Sequence, residues 1–188
     1  VLYDKDMIKS NRSFTIAKLK NNINTIDSFI SNENKDLIIL TSIGRIFRFN
    51  LSNKFLTPTS KQSQGLVLAK LLPTEKIVSC CKSNKNNKIY LVSKKGNFFK
   101  IKPDEIYDAY NSKLGYINEK IQLKKDNFIK IIPDSQFINI ETNKNKSARI
   151  DFNKVNSSPN KNIINIKFLN LDEDEYLENC FRIENFIN

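Results

Sequence analysis

The sequence predicts an all-β protein built from repeated four-stranded blades, a propeller-like architecture. Short segments rich in Ile, Val, Phe and Leu alternate with Asn, Ser, Lys and Gly, which is typical of strands and turns. These segments recur at about 50 residues, and no stretch of about twelve residues or more carries a helical period. Such a repeat indicates a radial or solenoid β fold. The alternative is a sandwich or barrel in which the similarities arise by chance.

The clearest repeat is a hairpin. LIILTSIGRIFRFN (37–50) aligns with IYLVSKKGNFFKIK (89–102), which places Gly44 on Gly96 at an offset of 52 residues. A third copy, FINIETNKNKSARID (137–151), places Asn145 at the glycine position. Asn tolerates a positive φ better than other non-glycine residues, so the three turns are predicted to share one backbone conformation.

A second recurring segment lies between the hairpins. Residues 64–80 match residues 114–132, with weaker copies at 161–180 and 13–30. We therefore expect one domain over residues 1–188, with about four blades: a partial unit at 1–36 and fuller units at 37–88, 89–135 and 136–188. The best helical candidate, residues 102–113, is expected to form at most one turn inside a loop.

The charge of the chain suggests a polyanionic partner. Thirty-one Lys and Arg against twenty Asp and Glu give a net charge of +11. Nucleic acid is the first candidate and an anionic membrane surface the second, while the alternative is that an AT-rich genome enriches Lys, Asn and Ile. No apolar run approaches the roughly 18 residues of a membrane span. The chain begins at Val1 without a signal or transit peptide, so we expect a fragment of a longer, non-secreted protein.

Residues that would support catalysis or metal binding are scarce. The chain has no histidine, and its four glycines form no nucleotide-binding loop. Cys80, Cys81 and Cys180 lack CxxC spacing and are expected to be buried, reduced thiols. We therefore expect no catalytic residues, no metal and no cofactor.

The repeated pattern resembles the C-terminal domain of the DNA gyrase A subunit and, less closely, that of topoisomerase IV. The resemblance is carried by residues 37–48, 63–72 with Glu75, 93–100 and 114–126, and by the loop TPTSKQSQG at 57–65. It implies a β-pinwheel that wraps double-stranded DNA around a basic rim and supports supercoiling, in a topoisomerase that depends on ATP. It also implies the gyrase B subunit and a second A subunit as partners, no membrane, and a plastid-derived (apicoplast-like) organelle or a bacterial cytoplasm as location.

Alternation along the strands selects the candidate DNA-binding residues. In the three hairpins Arg48, Lys100 and Arg149 are expected opposite the core face, where they would form a rim that contacts phosphates. Other cations could extend this rim, among which Arg45 is read as optional: Arg45, Lys54, Lys61, Lys70, Lys94, Lys95, Lys102, Lys113 and Lys167. Phe residues such as Phe47, Phe99 and Phe128 are expected in the core, which favours duplex over single-strand binding.

Two further alternatives stay open at the level of sequence. The acidic run at 172–175 is either a solvated turn or a patch that repels DNA where its path leaves the disc. The chain as a whole is either a DNA-wrapping module or a propeller-like scaffold for protein interactions. The scaffold would show no length-dependent binding to duplex DNA at moderate salt.

Overall fold

A computed structural model describes residues 24–29, 35–52, 66–84, 86–109, 123, 126–154, 163–164 and 171–183 of the chain. The all-β prediction is confirmed over these residues. The strands are β1 (Asp36–Thr41), β2 (Ile46–Asn50), β3 (Ile77–Ser83), β4 (Ile89–Ser93), β5 (Phe98–Ile101), β6 (Phe128–Pro133), β7 (Phe137–Thr142), β8 (Ser147–Asp151), β9 (Ile163–Ile164) and β10 (Leu177–Arg182). The stretch 102–113 was expected to form at most one helical turn. Its described residues form one 3-10 turn, Pro103–Glu105, and residues 110–113 fall outside the described part.

The three predicted hairpins pair as β1–β2, β4–β5 and β7–β8. Their turns share the expected backbone conformation, with φ of 87° at Gly44, 78° at Gly96 and 59° at Asn145. In each turn the residue with positive φ donates its N–H to the carbonyl three residues earlier, as Gly44 does to Thr41 at 3.0 Å. The substitution of Asn for Gly in the third copy therefore preserves the turn.

A third strand joins each hairpin to make a sheet. The first sheet has the order β2-β1-β3, the second β6-β4-β5-β9, and the third β10-β7-β8. The fourth strand of the second sheet, β9, comes from the chain that follows the third hairpin. Strands β3, β6 and β10 lie beside one another, so they form the inner edge of the stack, while β2, β5 and β8 lie on the outer side of their hairpins.

The sheets pack face to face through two shared cores. The first seam, between the first and second sheets, contains Ile38, Leu40, Ile46, Ile89, Leu91 and Phe99. The second seam, between the second and third sheets, contains Tyr90, Val92, Phe98, Ile138, Ile140 and Ile150. A further cluster around Phe47 and Phe49 lies on the other face of the first sheet, against Leu68, Leu71 and Ala109. The expected core positions of Phe47, Phe99 and Phe128 are confirmed, because each is 4% exposed or less.

One prediction from alternation is wrong. By the alternation that placed Arg48 and Lys100 opposite the core, Ile46 and Phe98 share their face, yet both are 1% exposed. The reason is that the neighbouring sheet covers this face, so the first two sheets are buried on both sides. Only the third sheet has a polar face at these positions, where Ser147 and Arg149 are exposed.

The number of blades stays a prediction. In the expected first unit at 1–36, residues 24–29 contain no strand and Asp36 is the first residue of β1, while residues 1–23 and 30–34 fall outside the described part. In the described part of the chain, no helix is long and apolar enough to cross a membrane.

Candidate nucleic-acid interface

Eight of the twelve predicted DNA-binding cations lie in the described part of the chain: Arg45, Arg48, Lys70, Lys94, Lys95, Lys100, Lys102 and Arg149. The other four lie outside it: Lys54, Lys61, Lys113 and Lys167. The eight differ in exposure and in their partners. They therefore divide into structural cations and cations that a polyanion could reach.

Arg45 belongs to the interior. Its guanidinium forms a two-point ion pair with Glu75, in which Nε donates to Oε1 at 2.8 Å, and it also donates to the carbonyl of Lys70 at 2.7 Å. The side chains of Arg45 and Glu75 are 9% and 0% exposed. Burial alone would raise the pKa of Glu75. The hydrogen bonds from Arg45, Leu72 and Thr41, with the charge of Arg45, lower it on balance.

The same connection recurs in all three sheets. Asn97, at the position of Arg45, donates to Asp126 at 3.1 Å, and Lys146 donates to Glu175 at 2.7 Å. We call these three contacts the turn latch, because each ties a hairpin turn to the segment that enters the inner strand. The position of Arg45, which the sequence analysis treated as an optional cation, therefore has a side-chain hydrogen-bond donor in all three hairpins.

The acidic run at 172–175 is the acceptor side of the third latch. The carboxylate of Glu175 is 0% exposed and also accepts a hydrogen bond from the hydroxyl of Thr142 at 2.8 Å. The hydrogen bond from Lys146 is the main reason that the pKa of Glu175 falls to about 2. Asp172 and Asp174 both accept from Lys144, so this turn is compensated by lysines of the adjacent hairpin.

Arg48, Lys100 and Arg149 occupy equivalent places on the outer strands. They lie opposite Ile38, Tyr90 and Asn139 in their hairpins. Arg48 and Lys100 are half-buried because the next sheet partly covers them, whereas Arg149 is exposed. The expectation that all three project freely from a solvent face is therefore correct for Arg149 alone.

Arg48 is largely neutralised within its own sheet. Its Nη1 donates to Asp36 at 3.1 Å, and the two side chains are 14% and 3% exposed. Its Nε is buried and has no hydrogen-bond partner among the described residues. Lys100 has a different neighbour, because Lys88 occupies the place of Asp36 at the repeat offset of 52 residues. Burial first, and then the charge of Lys88, lower the pKa of Lys100.

The remaining described cations are on loops and turns. Lys94 and Lys95 are exposed in the turn of the second hairpin, where the ammonium of Lys94 lies 4.6 Å from the centre of the Tyr176 ring. Lys70 and Lys102 are exposed as well, the latter just before the 3-10 turn. These side chains lie at both ends of the strands, so the exposed positive charge is not confined to the outer strands.

The described residues offer little for chemistry. They contain no group of three or more His, Cys, Asp or Glu side chains placed to hold a metal ion. Burial raises the pKa of Cys80 to about 11 and that of Cys180 to about 12, and it raises the pKa of Cys81 as well. The thiols are therefore protonated at neutral pH. Cys81 and Cys180 are buried as expected, whereas Cys80 is half-buried.

Stacked sheets, repeated turn latches and outer-strand cations define a propeller-like protein. A family model described as the DNA gyrase C-terminal domain, beta-propeller, matches residues 35–80. The resemblance predicted from the sequence is thereby confirmed for the first sheet and its latch. No curated protein sequence matches the chain.

Solved structures extend the similarity to most of the chain. A DNA gyrase A C-terminal domain superposes with a TM-score of 0.54 at 21% identity, covering 65% of this chain and 40% of that one. The C-terminal domain of DNA topoisomerase IV gives 0.68 at 19% identity, with coverages of 80% and 48%. The ParC C-terminal domain of E. coli gives 0.57 at 14% identity, with coverages of 80% and 57%. These matches confirm the β-pinwheel fold, and the chain spans about half the length of each structure.

Proposed function

We propose that the chain is a non-catalytic module that binds and wraps duplex DNA, and that it belongs to the A subunit of a type II topoisomerase, with gyrase favoured over topoisomerase IV. The observation that carries the proposal is exposed positive charge on a pinwheel scaffold, from Arg149 on the outer strand β8 and from Lys94, Lys95 and Lys102 at the ends of the strands. The outer-strand cation recurs as Arg48 and Lys100, which are half-buried. The fold supports the proposal, because the similar solved structures are C-terminal domains of gyrase and topoisomerase IV.

The physical basis is a repeat of charge on a rigid scaffold. Phosphate contacts position a protein on DNA without reading its sequence, so a module that only bends DNA needs cations at regular intervals. Smooth bending of a 20–30 bp site by 40–90° costs on the order of 1–6 kcal/mol, which several such contacts can offset. In the parent enzyme the module would act beside a second A subunit and the gyrase B subunit, in a plastid-derived organelle or a bacterial cytoplasm.

The first test is a salt titration of binding to duplex DNA of increasing length. If six to ten phosphates are contacted, affinity should fall roughly 10³–10⁵-fold between 50 and 200 mM salt. Longer duplexes should bind more tightly until the wrapped length is reached. A shallow salt dependence with no effect of length would refute wrapping and favour a protein-interaction scaffold.

A matched pair of variants tests the role of the outer strand. Arg149→Glu changes an exposed cation on β8, and Lys76→Glu makes the same change at the exposed start of the inner strand β3. We expect Arg149→Glu to weaken DNA binding more than Lys76→Glu, with both proteins folded.

Relaxation of circular DNA by a topoisomerase in the presence of the full chain should then shift the linking number with one sign, and Arg149→Glu should reduce that shift.

A further inference from the structure

A cleft opens at the second seam, at the ends of the strands remote from the hairpin turns. Its volume is about 820 Å³, and its walls include Lys88, Tyr90 and Lys100 from the second sheet and Phe152 and Arg182 from the third. The rings of Tyr90 and Phe152 stack with their centres 4.1 Å apart, which gives the cleft a fixed floor.

The cleft carries uncompensated positive charge. Its lining contains three cations, Lys88, Lys100 and Arg182, and one carboxylate, Asp134, which leaves a surplus of two positive charges. None of the three cations forms an ion pair with a carboxylate in the described part of the chain. Burial lowers the pKa of Lys100 most, the nearby charge of Lys88 lowers it further, and the charge of Asp134 opposes both effects. Two neighbouring lysines repel each other, and a bound anion would relieve that repulsion.

The surplus of positive charge is specific to the second seam, as a comparison with the first seam shows. At the first seam the equivalent pair is Arg48 with Asp36, a cation with a carboxylate at 3.1 Å. At the second seam the carboxylate position holds Lys88, and β10 adds Arg182 from across the seam. The two seams therefore differ in charge although their backbones are equivalent.

We propose that Lys88, Lys100 and Arg182 form a phosphate-binding site in the cleft of the second seam. Tyr90 lines the same cleft, and burial and then the charge of Asp134 raise its pKa to about 12. The source of the phosphate is the backbone of bound DNA, a step that rests on the function proposed above. DNA is then held more strongly at the second seam than at the first, where Asp36 already neutralises the outer-strand cation.

The site is tested first with inorganic phosphate, which does not depend on DNA wrapping. Phosphate is titrated into the full chain at constant ionic strength while the NMR signals of the Lys side chains and of the Arg182 guanidinium are followed. We expect saturable shifts at Lys88, Lys100 and Arg182, and none in the Lys88→Asp variant. Absence of saturable shifts at these residues in the wild-type protein would overturn the site.

The second arm tests DNA as the source of the phosphate. Lys88→Asp recreates the pairing of the first seam. The matched control is Lys76→Asp, an exposed lysine just before β3 that lies beside the first hairpin turn and therefore far from the cleft. Each phosphate contact contributes a factor of about fivefold at 0.15 M salt relative to 1 M. The loss of one or two contacts therefore predicts that Lys88→Asp binds duplex DNA about five- to thirtyfold more weakly, with a salt slope shallower by about 1–2.

A second variant covers the case in which Lys88→Asp does not fold. Arg182→Gln removes an exposed cation from the other wall and is expected to lose about fivefold. If Lys88→Asp and Arg182→Gln lose no more affinity than Lys76→Asp while the wild-type protein keeps its steep salt dependence, DNA is not the source and this inference fails alone. If the wild-type protein shows no steep salt dependence, the proposed function fails, and the phosphate titration still decides whether the site exists.

Discussion

Replacing Arg45 by Met tests whether the turn latch stabilises the fold. Met puts an apolar side chain in place of the guanidinium that lies over the Phe47 ring, and it leaves the carboxylate of Glu75, which is 0% exposed, without its cation. Removing one partner of a fully buried pair costs about 3–5 kcal/mol. Because Arg45 retains 9% exposure, we expect the lower end, about 3 kcal/mol. For a chain of this size that corresponds to a decrease in Tm of roughly 6–12 °C.

The assay is urea unfolding at pH 7 of four proteins: wild type, Arg45→Met, Glu75→Gln and the double variant. The double variant removes the uncompensated charge, so its unfolding free energy should lie above that of Arg45→Met. The coupling between the two sites should reach about 1–3 kcal/mol. If Arg45→Met costs less than about 1 kcal/mol, the pair behaves like an exposed one, and the reasoning about the latch is wrong.

The pH dependence gives an independent reading of the same contact. The pKa of Glu75 is lowered in the folded protein, so its contribution to stability is complete above the pKa of the unfolded chain, near 4.5, and is lost as the pH falls through the folded value. The difference in unfolding free energy between wild type and Glu75→Gln should therefore be constant above about pH 5.5 and become smaller in acid. A difference that grows as the pH falls would contradict this sign.

Three further substitutions have defined outcomes in the same unfolding assay. Gly44→Ala should lower the unfolding free energy by about 2–4 kcal/mol, because the new Cβ would lie 2.6 Å from the Phe128 ring at a φ of 87°. In Gly96→Ala the new Cβ would meet nothing closer than 3.6 Å, so the loss should be about 1–2 kcal/mol. Equal losses in the two variants would contradict the close approach to Phe128. Arg48→Glu should lower the unfolding free energy as well as DNA binding, because it places a carboxylate against the buried Asp36. An unfolding curve like that of wild type would show that the Arg48–Asp36 pair is not formed.

The repeat in the sequence was sufficient to predict the hairpins and their turns. Gly44, Gly96 and Asn145 all have positive φ, so the alignment was correct at the residues where backbone geometry restricts the choice of side chain. The turn latch was missed although its spacing is regular. Its donor and acceptor lie 30 residues apart in the first sheet and 29 in the other two, and the donors are as different as Arg, Asn and Lys. A search for charge recurrence alone cannot find a contact whose donor is neutral in one copy.

The burial of the candidate cations could not be read from alternation. A period of two residues separates the faces of a strand but does not tell whether a second sheet covers the outer one. Ile46 and Phe98 gave a signal, since large apolar side chains on a supposed solvent face indicate that both faces are covered. The ion pair of Arg48 with Asp36 could not be predicted for another reason. It depends on which side chains are diagonal neighbours across β1 and β2.

Because of strand β9, the second sheet does not coincide with one repeat of the sequence. The second sheet obtains its fourth strand from the chain beyond the third hairpin, so residues that follow the third hairpin complete its outer edge. An array of independent repeats could lose units one at a time, but here the second and third sheets are interlocked. The two sheets should therefore unfold in one cooperative transition, and deletion of residues 136–188 should expose β5 as an unpaired edge and promote aggregation.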